Sequence, residues 1–294
     1  MKIVVFGNKK TTKAFLENLI SKNYKPHTLV TLDPSLRDSY GISGVDNKLI
    51  DFALKNKINI YNPTSYKLSG IKDYEFFNSN NFDIGFCTGW QRIIPEIILK
   101  VIKSGVFGWH GSGFEFPNGR GRSPINWTIR LGLNNIHHNC FRYGSGMDDG
   151  DIYETKNIKI ETTDYISDVI LKVLKHINDS SISVLEDLSE NKLRLFKQPK
   201  HSFFSFPKLD ENDGELTLQM NRSAAINIVR SCSRPFPGSF IMDSMNNKIR
   251  IWKMYILNDD KLTGKKDNIF YHDEKIILNF LDGKCFSNDY ERVE

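Results

Sequence analysis

The stretch FDIGFCTGWQRIIPEIILKVIKSGVFGWH, residues 82–110, decides the fold class of this chain. Its first part, Asp83–Cys87, is a short apolar run that predicts a buried β-strand. Pro95 then opens a segment with apolar residues at helical spacing, and Pro is favourable at the first position of a helix. Val106–His110 predicts a second strand. This order predicts a βαβ unit, which requires a parallel sheet.

The same alternation extends through the first 150 residues. We predict strands at Lys2–Phe6, His27–Leu32 and Ile58–Tyr61. A first helix, capped by Thr11 or Thr12, carries Phe15, Leu16 and Leu19, and a second carries Leu49, Phe52, Ala53 and Leu54. Two further helices are predicted at Tyr74–Phe77 and, after a Ser123 cap, at Pro124–Leu131. A long amphipathic helix is predicted from about residue 164 to residue 188. From about residue 200 onward, short alternating segments predict a small, mainly β domain. We therefore expect an α/β domain over residues 1–200 and a β-rich domain over residues 201–294.

The composition is that of a globular chain. Of the 294 residues, 39% are hydrophobic and 26% are charged, which argues against wholesale disorder. No run approaches the roughly 20 apolar residues of a membrane span, and Ile3–Phe6 is too short for the core of a signal peptide. The four cysteines form no CxxC pair, so we expect neither a structural zinc site nor a disulfide framework. These features predict a cytoplasmic protein that holds no metal.

The loop after the first strand bears on nucleotide binding. It reads Gly7-Asn8-Lys9-Lys10 and lacks the GxGxxG pattern of dinucleotide-binding loops. Asp33, at the end of the second predicted strand, resembles an acid that binds a ribose, but this signal is weak without the glycines. A dinucleotide cofactor is therefore disfavoured.

Two candidate catalytic side chains lie at predicted strand ends. His110 closes the strand that begins at Val106, and Asp148 begins a turn before another predicted strand. Ligands of parallel sheets bind at the carboxyl ends of strands, where a His and an Asp together can handle a proton. The Asp can also orient the imidazole and favour its protonated form. The alternative is structural, because a strand-end His is often a packed residue and an Asp before Gly often forms a turn.

The segment Gly119-Arg120-Gly121-Arg122 is a candidate phosphate-binding loop. Its glycines allow close backbone approach, and its arginines suit phosphate recognition. The predicted helix that follows has an N-terminus that favours anions. The alternative is a tight turn with solvated arginines.

Several motifs, in one order along the chain, resemble the folate-dependent formyltransferases, the family of methionyl-tRNA formyltransferase and the sugar N-formyltransferases. Ile93-Ile94-Pro95 is similar to the family's ILP turn, residues 106–124 to its N-x-H-x-S…P…RG…P pattern, and residues 147–152 to its D-x-G-D-I pattern. FPKLDENDGEL at 206–216 and VRSCSRPFPGSF at 229–240 are similar to the DGEI and IRA…PYPGAF signatures of its small β domain. The resemblance covers nearly the whole chain.

The resemblance implies a Rossmann-like, mainly parallel sheet in the formyltransferase fold, and formyl transfer from N10-formyltetrahydrofolate to an amine. The family's catalytic trio is Asn, His and Asp. Its His falls on His110 and its Asp on Asp148, but the Asn position is Gly108, which cannot donate a hydrogen bond to the formyl oxygen. Loss of one such donor typically costs about 10²–10³ in rate. Either His110, Asn118, Ser112 or a water molecule donates instead, or the chain is a slower or catalytically impaired folate-binding relative.

The resemblance also implies which residues bind the two substrates. The folate is expected against Trp90, Arg92, Ile93, Ile94, Pro95 and Asp148. The acceptor is expected against Gly108, Ser112, Asn118, Arg120, Arg122, Trp127 and Tyr143.

The acceptor amine is the open question. Binding of tRNA should show a basic surface and, by the resemblance, a Lys/Arg-rich insertion after the second strand. That region, LDPSLRDSYGISGVDNK at 32–48, holds one Arg and one Lys against three Asp, and the net charge of the chain is only +5. A nucleotide sugar needs one or two arginines for its pyrophosphate and an aromatic side chain for its base. We therefore favour a nucleotide-linked amino sugar, used in polysaccharide biosynthesis, over methionyl-tRNA, and leave open a homodimer.

Overall fold

The computed structural model describes residues 1–40, 42, 45–258 and 268–293. By its packing, the chain divides into two compact units. The first unit comprises residues 1–110, 138–156 and 174–202, and the second comprises residues 111–137, 157–173 and 203–294. Each unit is assembled from several segments of the chain, and the expected domain boundary near residue 200 stays a prediction.

The strands are β1 (Ile3–Phe6), β2 (Thr28–Val30), β3 (Asn59–Tyr61), β4 (Ile84–Cys87), β5 (Val106–Ser112), β6 (Arg120–Gly121), β7 (Asn135–Arg142), β8 (Ile152–Lys159), β9 (Ser205–Phe206), β10 (Ser239–Met242), β11 (Lys248–Ile251), β12 (Tyr255–Ile256), β13 (Ile269–His272), β14 (Lys275–Phe280), β15 (Gly283–Ser287) and β16 (Tyr290–Val293). The helices are α1 (Lys10–Ser21), α2 (Pro34–Ser39), α3 (Leu49–Lys55), α4 (Ile71–Asn80), α5 (Glu96–Leu99), α6 (Pro124–Arg130), α7 (Ile166–Ser189) and α8 (Arg222–Cys232), with a 3₁₀ turn at Asn212–Gly214.

The large sheet has the strand order β3-β2-β1-β4-β5-β7-β8. Its first five strands pair in parallel. In this register Val5 lies opposite Phe86, and Cys87 at the end of β4 lies opposite Gly108 of β5. The strands are continuous apolar runs because both faces of the sheet are covered. The predicted α/β architecture with a mainly parallel sheet is confirmed.

The first unit has a hydrophobic core on each face of this sheet. Successive side chains of a strand point to opposite faces. On one face Val5, Phe86 and Phe107 belong to the cluster that packs against α1 and the C-terminal part of α7. On the other face Phe6 and Val106 belong to a second cluster, which includes residues of α4 and α5. β5 is therefore clamped from both sides, which fixes the direction of each of its side chains.

The prediction that Thr11 or Thr12 caps α1 is wrong, because the helix begins at Lys10 and both threonines lie inside its first turn. The N-terminus of α1 is tied to the residue that follows β4. Lys9 occupies the position before the helix, and its main-chain N–H donates to Oγ1 of Thr12 at 3.1 Å. The Thr12 hydroxyl in turn donates to the carbonyl oxygen of Thr88 at 2.6 Å. The three apolar residues predicted for the core-facing side of this helix are all buried.

The prediction that the Ser123 side chain caps α6 is wrong. Ser123 adopts the left-handed conformation, with φ of 53°, and makes no side-chain capping hydrogen bond. Its hydroxyl accepts a hydrogen bond from the main-chain N–H of Leu209 at 3.3 Å. The helix start relies instead on Pro124, whose fixed φ suits the first helical turn.

The second unit contains two antiparallel sheets, in the orders β10-β11-β16 and β12-β15-β14-β13. The predicted β-rich C-terminal part is confirmed, but its helix α8 was not predicted. Ala225, Ile228, Val229 and Cys232 are buried along this helix at the spacing i, i+3, i+4, i+7. That spacing is the signal that would have revealed α8 in the sequence. Within the ranges that the structure describes, no helix has the length and apolar character needed to span a membrane.

The core of the first unit can be tested with two leucines. Leu16 on α1 is 0% exposed, so Leu16→Ala should lower the free energy of unfolding by about 2–5 kcal/mol. Leu54 on α3 is 60% exposed, so Leu54→Ala should change it by no more than about 0.5 kcal/mol. Urea unfolding of the two variants measures both values. Equal losses in the two variants would contradict this placement of α1.

Candidate active site

The strands β1, β4 and β5 run parallel, so their carboxyl ends lie along one edge of the sheet. The side chain of His110, near the end of β5, is 7% exposed. Asp148 follows β7 in the turn before β8. The two predicted catalytic side chains lie next to each other, with 3.5 Å between Nδ1 of His110 and Oδ2 of Asp148. This distance allows the carboxylate to orient the ring, and such contacts commonly tighten when substrate binds.

The backbone of Asp148 is held in an unusual conformation. Its φ of 52° lies in the left-handed region, which Asp tolerates better than most residues. The side-chain amide of Gln198 donates to the carbonyl oxygen of Asp148 at 2.8 Å and to that of Gly150 at 2.7 Å. A Cβ on Gly150 would lie 1.4 Å from the carbonyl oxygen of Arg142, so only glycine fits there. These contacts present the Asp148 carboxylate to His110.

The main chain at His110 is fixed by a neighbour on β7. The Asn139 amide donates to the His110 carbonyl oxygen at 3.3 Å, and its own oxygen accepts from the Thr155 hydroxyl at 2.6 Å. Sequence reasoning missed both Asn139 and Gln198 as supports of the site. No motif marks either residue, because each acts through tertiary hydrogen bonds alone.

Gly108 precedes His110 by two residues and lies against the ring of Tyr143. A Cβ at Gly108 would stand 2.2 Å from Cε1 of Tyr143 and 2.4 Å from its hydroxyl oxygen. Two residues expected at the acceptor pocket are thus in direct contact with each other.

The polar groups around Gly108 are neutral. Burial raises the pKa of the Cys87 thiol to about 12, so this thiol stays protonated. Burial also raises the pKa of the Tyr143 phenol, with smaller contributions from Cys87 and Asp148. Neither group therefore serves as a base at neutral pH, and both can donate a hydrogen bond.

The residues expected to bind folate divide between core and surface. Trp90 is 7% exposed and packs edge-on against Phe6 and Tyr66, and Ile94 is 1% exposed in the same core. The indole N–H of Trp90 has no hydrogen-bond partner in the described part of the chain. Trp90 and Ile94 thus support this region from beneath rather than forming an open wall.

The other expected folate residues lie nearer the surface. Ile93 is 57% exposed, and Arg92 is exposed with its guanidinium 4.9 Å from the centre of the Tyr66 ring. Pro95 stands at the N-cap of α5. This short turn therefore offers one apolar and one cationic side chain to a ligand.

An open pocket of about 300 Å³ lies beside Tyr143 in the first unit. Its lining consists of Glu96, Leu99, Lys100, Ile102, Lys103, Ser104, Gly105, Arg142, Tyr143, Gly144 and Ser145. Apolar side chains and main chain thus line the pocket together with three cationic side chains.

Three of the expected acceptor residues lie in the second unit between the end of β5 and the start of β6. The Ser112 hydroxyl is engaged within the loop, donating to the Phe114 carbonyl oxygen at 3.0 Å. Asn118 is half-buried, and its main-chain N–H closes a turn onto Glu115. Arg120 is buried, and its guanidinium lies 4.4 Å from the centre of the Phe203 ring.

The remaining two expected acceptor residues are Arg122, whose side chain is exposed, and Trp127, whose ring is engaged by neighbouring residues. Arg122 is exposed, and its main-chain N–H donates to the Phe206 carbonyl oxygen at 2.9 Å. Trp127 stacks on Phe206 with 5.5 Å between ring centres and donates its indole N–H to the Pro207 carbonyl oxygen. Of the two arginines in this loop, Arg122 is the one whose side chain is open to a ligand.

A chain of three polar side chains, of which the two histidines are buried, lies elsewhere in the first unit. Nδ1 of His138 lies 2.6 Å from Nδ1 of His176, and Nε2 of His176 lies 2.7 Å from Oε1 of Glu154. Burial, followed by the nearby His176 and His110, lowers the pKa of His138 well below its usual value. His138 therefore stays neutral in the folded protein.

The neutral state of His138 predicts acid sensitivity. The unfolded chain protonates this imidazole below about pH 6.5 while the folded chain does not. The unfolded state therefore binds more protons, and stability falls as pH drops below that value, by up to about 1.4 kcal/mol per pH unit for this group. Denaturant unfolding at pH 5.5, 6.5 and 7.5 should show a shallower decline in His138→Gln than in wild type.

The control for this experiment is His201→Gln, which alters an exposed histidine. It should keep the pH dependence of the wild type. Parallel stability curves for His138→Gln and wild type would show that His138 does not contribute to the acid sensitivity.

No protein-family model matches the chain. Among curated proteins, it is similar to the bifunctional polymyxin resistance protein ArnA of Wigglesworthia glossinidia brevipalpis, with 27% identity over 257 residues, which cover 87% of this chain and 38% of ArnA. It is also similar to methionyl-tRNA formyltransferase of Prochlorococcus marinus subsp. pastoris, with 23% identity over 273 residues, which cover 92% of this chain and 82% of that enzyme. The chain therefore spans less than half the length of ArnA and most of the length of the second relative.

Among solved structures, the chain is similar to the N-formyltransferase from Helicobacter canadensis in complex with folinic acid and dTDP-3-aminofucose. The TM-score is 0.69 at 16% identity, and the match covers 100% of both chains. At this identity the likeness concerns the fold. Fold, sequence relatives and the ordered motifs agree, and together they support the folate-dependent formyltransferase family for this chain.

Proposed function

We propose that this formyltransferase moves a formyl group from N10-formyltetrahydrofolate to the amine of a nucleotide-linked amino sugar. The observation that carries the proposal is the contact between His110 and Asp148, 3.5 Å apart at the carboxyl end of β5. Formyl transfer to an amine needs a hydrogen-bond donor for the developing oxyanion and an acceptor for the proton of the amine. These two side chains supply both.

The roles of the two side chains follow from their chemistry. His110 donates a hydrogen bond to the formyl oxygen as negative charge builds there. Asp148, directly or through a water molecule, accepts the proton that the attacking amine releases, and it orients the His110 ring. The amine nitrogen bonds to the formyl carbon, the bond from that carbon to N10 of the folate breaks, and N10 takes up a proton.

The turn that holds Arg92 and Ile93 has side chains that suit a folate. A pterin is flat, with apolar faces and an edge of hydrogen-bonding groups. Ile93, which is 57% exposed, offers apolar contact, and the exposed Arg92 suits a carboxylate of the folate tail. The pocket beside Tyr143 is a separate feature, because Ser104 and Gly105 place it at the amino end of β5 and none of the residues expected to bind folate lines it.

The choice of acceptor rests on the segment after β2. Asp33 caps α2 through the Ser35 N–H, and Arg37 is buried and donates to the Asp46 carbonyl oxygen. The single arginine of this segment is thus used inside the fold, and Lys48 is the one other basic residue in its sequence, so its described part offers no basic arm of the kind that would bind tRNA. The exposed Arg122 suits one phosphate of a nucleotide sugar. The Helicobacter canadensis relative was solved with such a sugar, dTDP-3-aminofucose.

The sequence relative in Prochlorococcus marinus is named for methionyl-tRNA, so this acceptor is the second candidate. We expect either reaction to occur in the cytoplasm, where the four buried cysteines stay reduced.

Turnover of the formyl donor tests the proposal. The protein is incubated with N10-formyltetrahydrofolate and a panel of 3- and 4-amino-deoxy nucleotide sugars, with methionyl-tRNA as a separate arm. Tetrahydrofolate release and acceptor mass are followed. We expect one amino sugar to gain the mass of a formyl group. If methionyl-tRNA alone is formylated, it and not an amino sugar is the acceptor. Folate binding without turnover would identify a catalytically impaired relative.

Variants of the two catalytic side chains test the mechanism. His110→Gln and Asp148→Asn should each lower kcat by about 10²–10⁴ and leave the unfolding temperature close to that of wild type. The matched controls are His201→Gln and Asp38→Asn, which alter exposed residues away from the site. Full activity in both His110→Gln and Asp148→Asn would contradict the assignment.

A further inference from the structure

The family pattern places a hydrogen-bond donor two residues before His110, where this chain has Gly108. Residues two apart on a strand point to the same face. A side chain at position 108 would therefore lie on the face that carries His110. The inference below rests on the proposed function, because it concerns how the formyl oxygen is bound without that side chain.

The space that a side chain at position 108 would occupy is filled by Tyr143. A Cβ built on Gly108 would lie 2.2 Å from Cε1, 2.4 Å from the hydroxyl oxygen and 2.5 Å from Cζ of Tyr143. These three atoms form the polar end of the ring. The phenol hydroxyl thus stands where the side chain of residue 108 would begin, on the same face as the His110 ring.

Tyr143 is held in this position by main chain and by ring contacts. Its N–H donates to the Val106 carbonyl oxygen at 2.7 Å, which locks the end of β7 to the start of β5. Its ring stacks on Phe141 with 5.2 Å between centres. The ring also packs against the core cluster that contains Val106 and Cys87. Position 108 must be glycine for the ring to reach this place, because any Cβ would overlap it.

The hydroxyl is also in the correct protonation state for a donor. Burial raises the pKa of Tyr143, and Cys87, with which the phenol is hydrogen-bonded, and Asp148 add to this effect. The phenol therefore keeps its proton at neutral pH. A neutral O–H can donate to an oxygen that gains negative charge, as the amide of an Asn can. Donation to the formyl oxygen would take the place of the hydrogen bond to Cys87.

We propose that Tyr143 is a catalytic residue whose hydroxyl donates to the formyl oxygen beside His110 and so replaces the missing Asn. The pair Gly108 and Tyr143 is then one functional exchange, with a small residue on β5 and a donor supplied from the end of β7. Tyr143 gives up no proton during the reaction, and its contribution is to the stability of the oxyanion.

Removal of the hydroxyl alone is the direct test. Tyr143→Phe keeps the ring and its packing but lacks the donor. We expect kcat to fall by about 10²–10³ and KM for the folate to rise by a smaller factor, because the hydrogen bond to the formyl oxygen forms in the ground state and strengthens in the transition state. The matched control is Tyr74→Phe on α4, which alters another half-buried tyrosine and should keep wild-type kcat. If the ring only filled space, Tyr143→Phe would be as active as wild type, which would overturn the proposal.

A residue exchange tests the geometry. Gly108→Asn alone should lower the unfolding temperature, because its Cβ overlaps Tyr143. Tyr143→Ala alone should be nearly inactive. The double variant Gly108→Asn with Tyr143→Ala should unfold at a higher temperature than Gly108→Asn and recover at least tenfold in kcat over Tyr143→Ala. If the losses of the two single variants simply add in the double variant, both in unfolding temperature and in kcat, the proposed exchange of Asn at position 108 for Tyr143 is contradicted.

Ligand binding separates this inference from the proposed function. The dissociation constants of a stable N10-formyl folate analogue and of the same folate without the formyl group are measured for wild type and Tyr143→Phe. We expect wild type to prefer the formylated compound and Tyr143→Phe to lose that preference. If wild type formylates no acceptor but this difference is found, the proposed function fails and the role of Tyr143 stands. An equal preference in both proteins would overturn the role of Tyr143.

Discussion

The site of this protein depends on the burial of β5 between two hydrophobic cores. A strand covered on both faces has no freedom in the direction of its side chains. Phe107 therefore enters one core, and Val106, Gly108 and His110 share the opposite face. The parallel pairing with β4 adds a second constraint, because it sets Cys87 opposite Gly108. The positions of His110 and Cys87 follow from these two constraints.

The acidic partner is positioned differently, by a loop rather than by a strand. Asp148 lies in the left-handed region, a conformation that costs free energy unless its surroundings hold it. Gln198, from a distant part of the chain, supplies two hydrogen bonds to that loop, and the close approach of Gly150 to Arg142 leaves it little room. Rigid placement of a carboxylate beside an imidazole is what a pair that transfers protons requires.

The surroundings of the site keep its other polar groups neutral. Burial raises the pKa values of Cys87 and Tyr143, so neither carries a charge near neutral pH. The hydrogen-bond donors beside Gly108 are therefore neutral and held in fixed positions. Such preorganised donors are a major source of rate enhancement in acyl transfer.

Local pattern in the sequence determined the βαβ alternation, the buried strands, the position of His110 near the end of β5 and that of Asp148 in the turn before β8, because these follow from apolar periodicity and short motifs. It also exposed the missing Asn at Gly108, but not what fills that space. Only the tertiary structure brought the Tyr143 ring onto Gly108 and Gln198 onto the Asp148 loop. These contacts join residues 35 and 50 positions apart, and they depend on how strands pair and side chains pack. The periodicity of apolar residues indicates which face of a strand or helix a residue lies on. Its neighbours across the sheet depend on which strands pair and in what register.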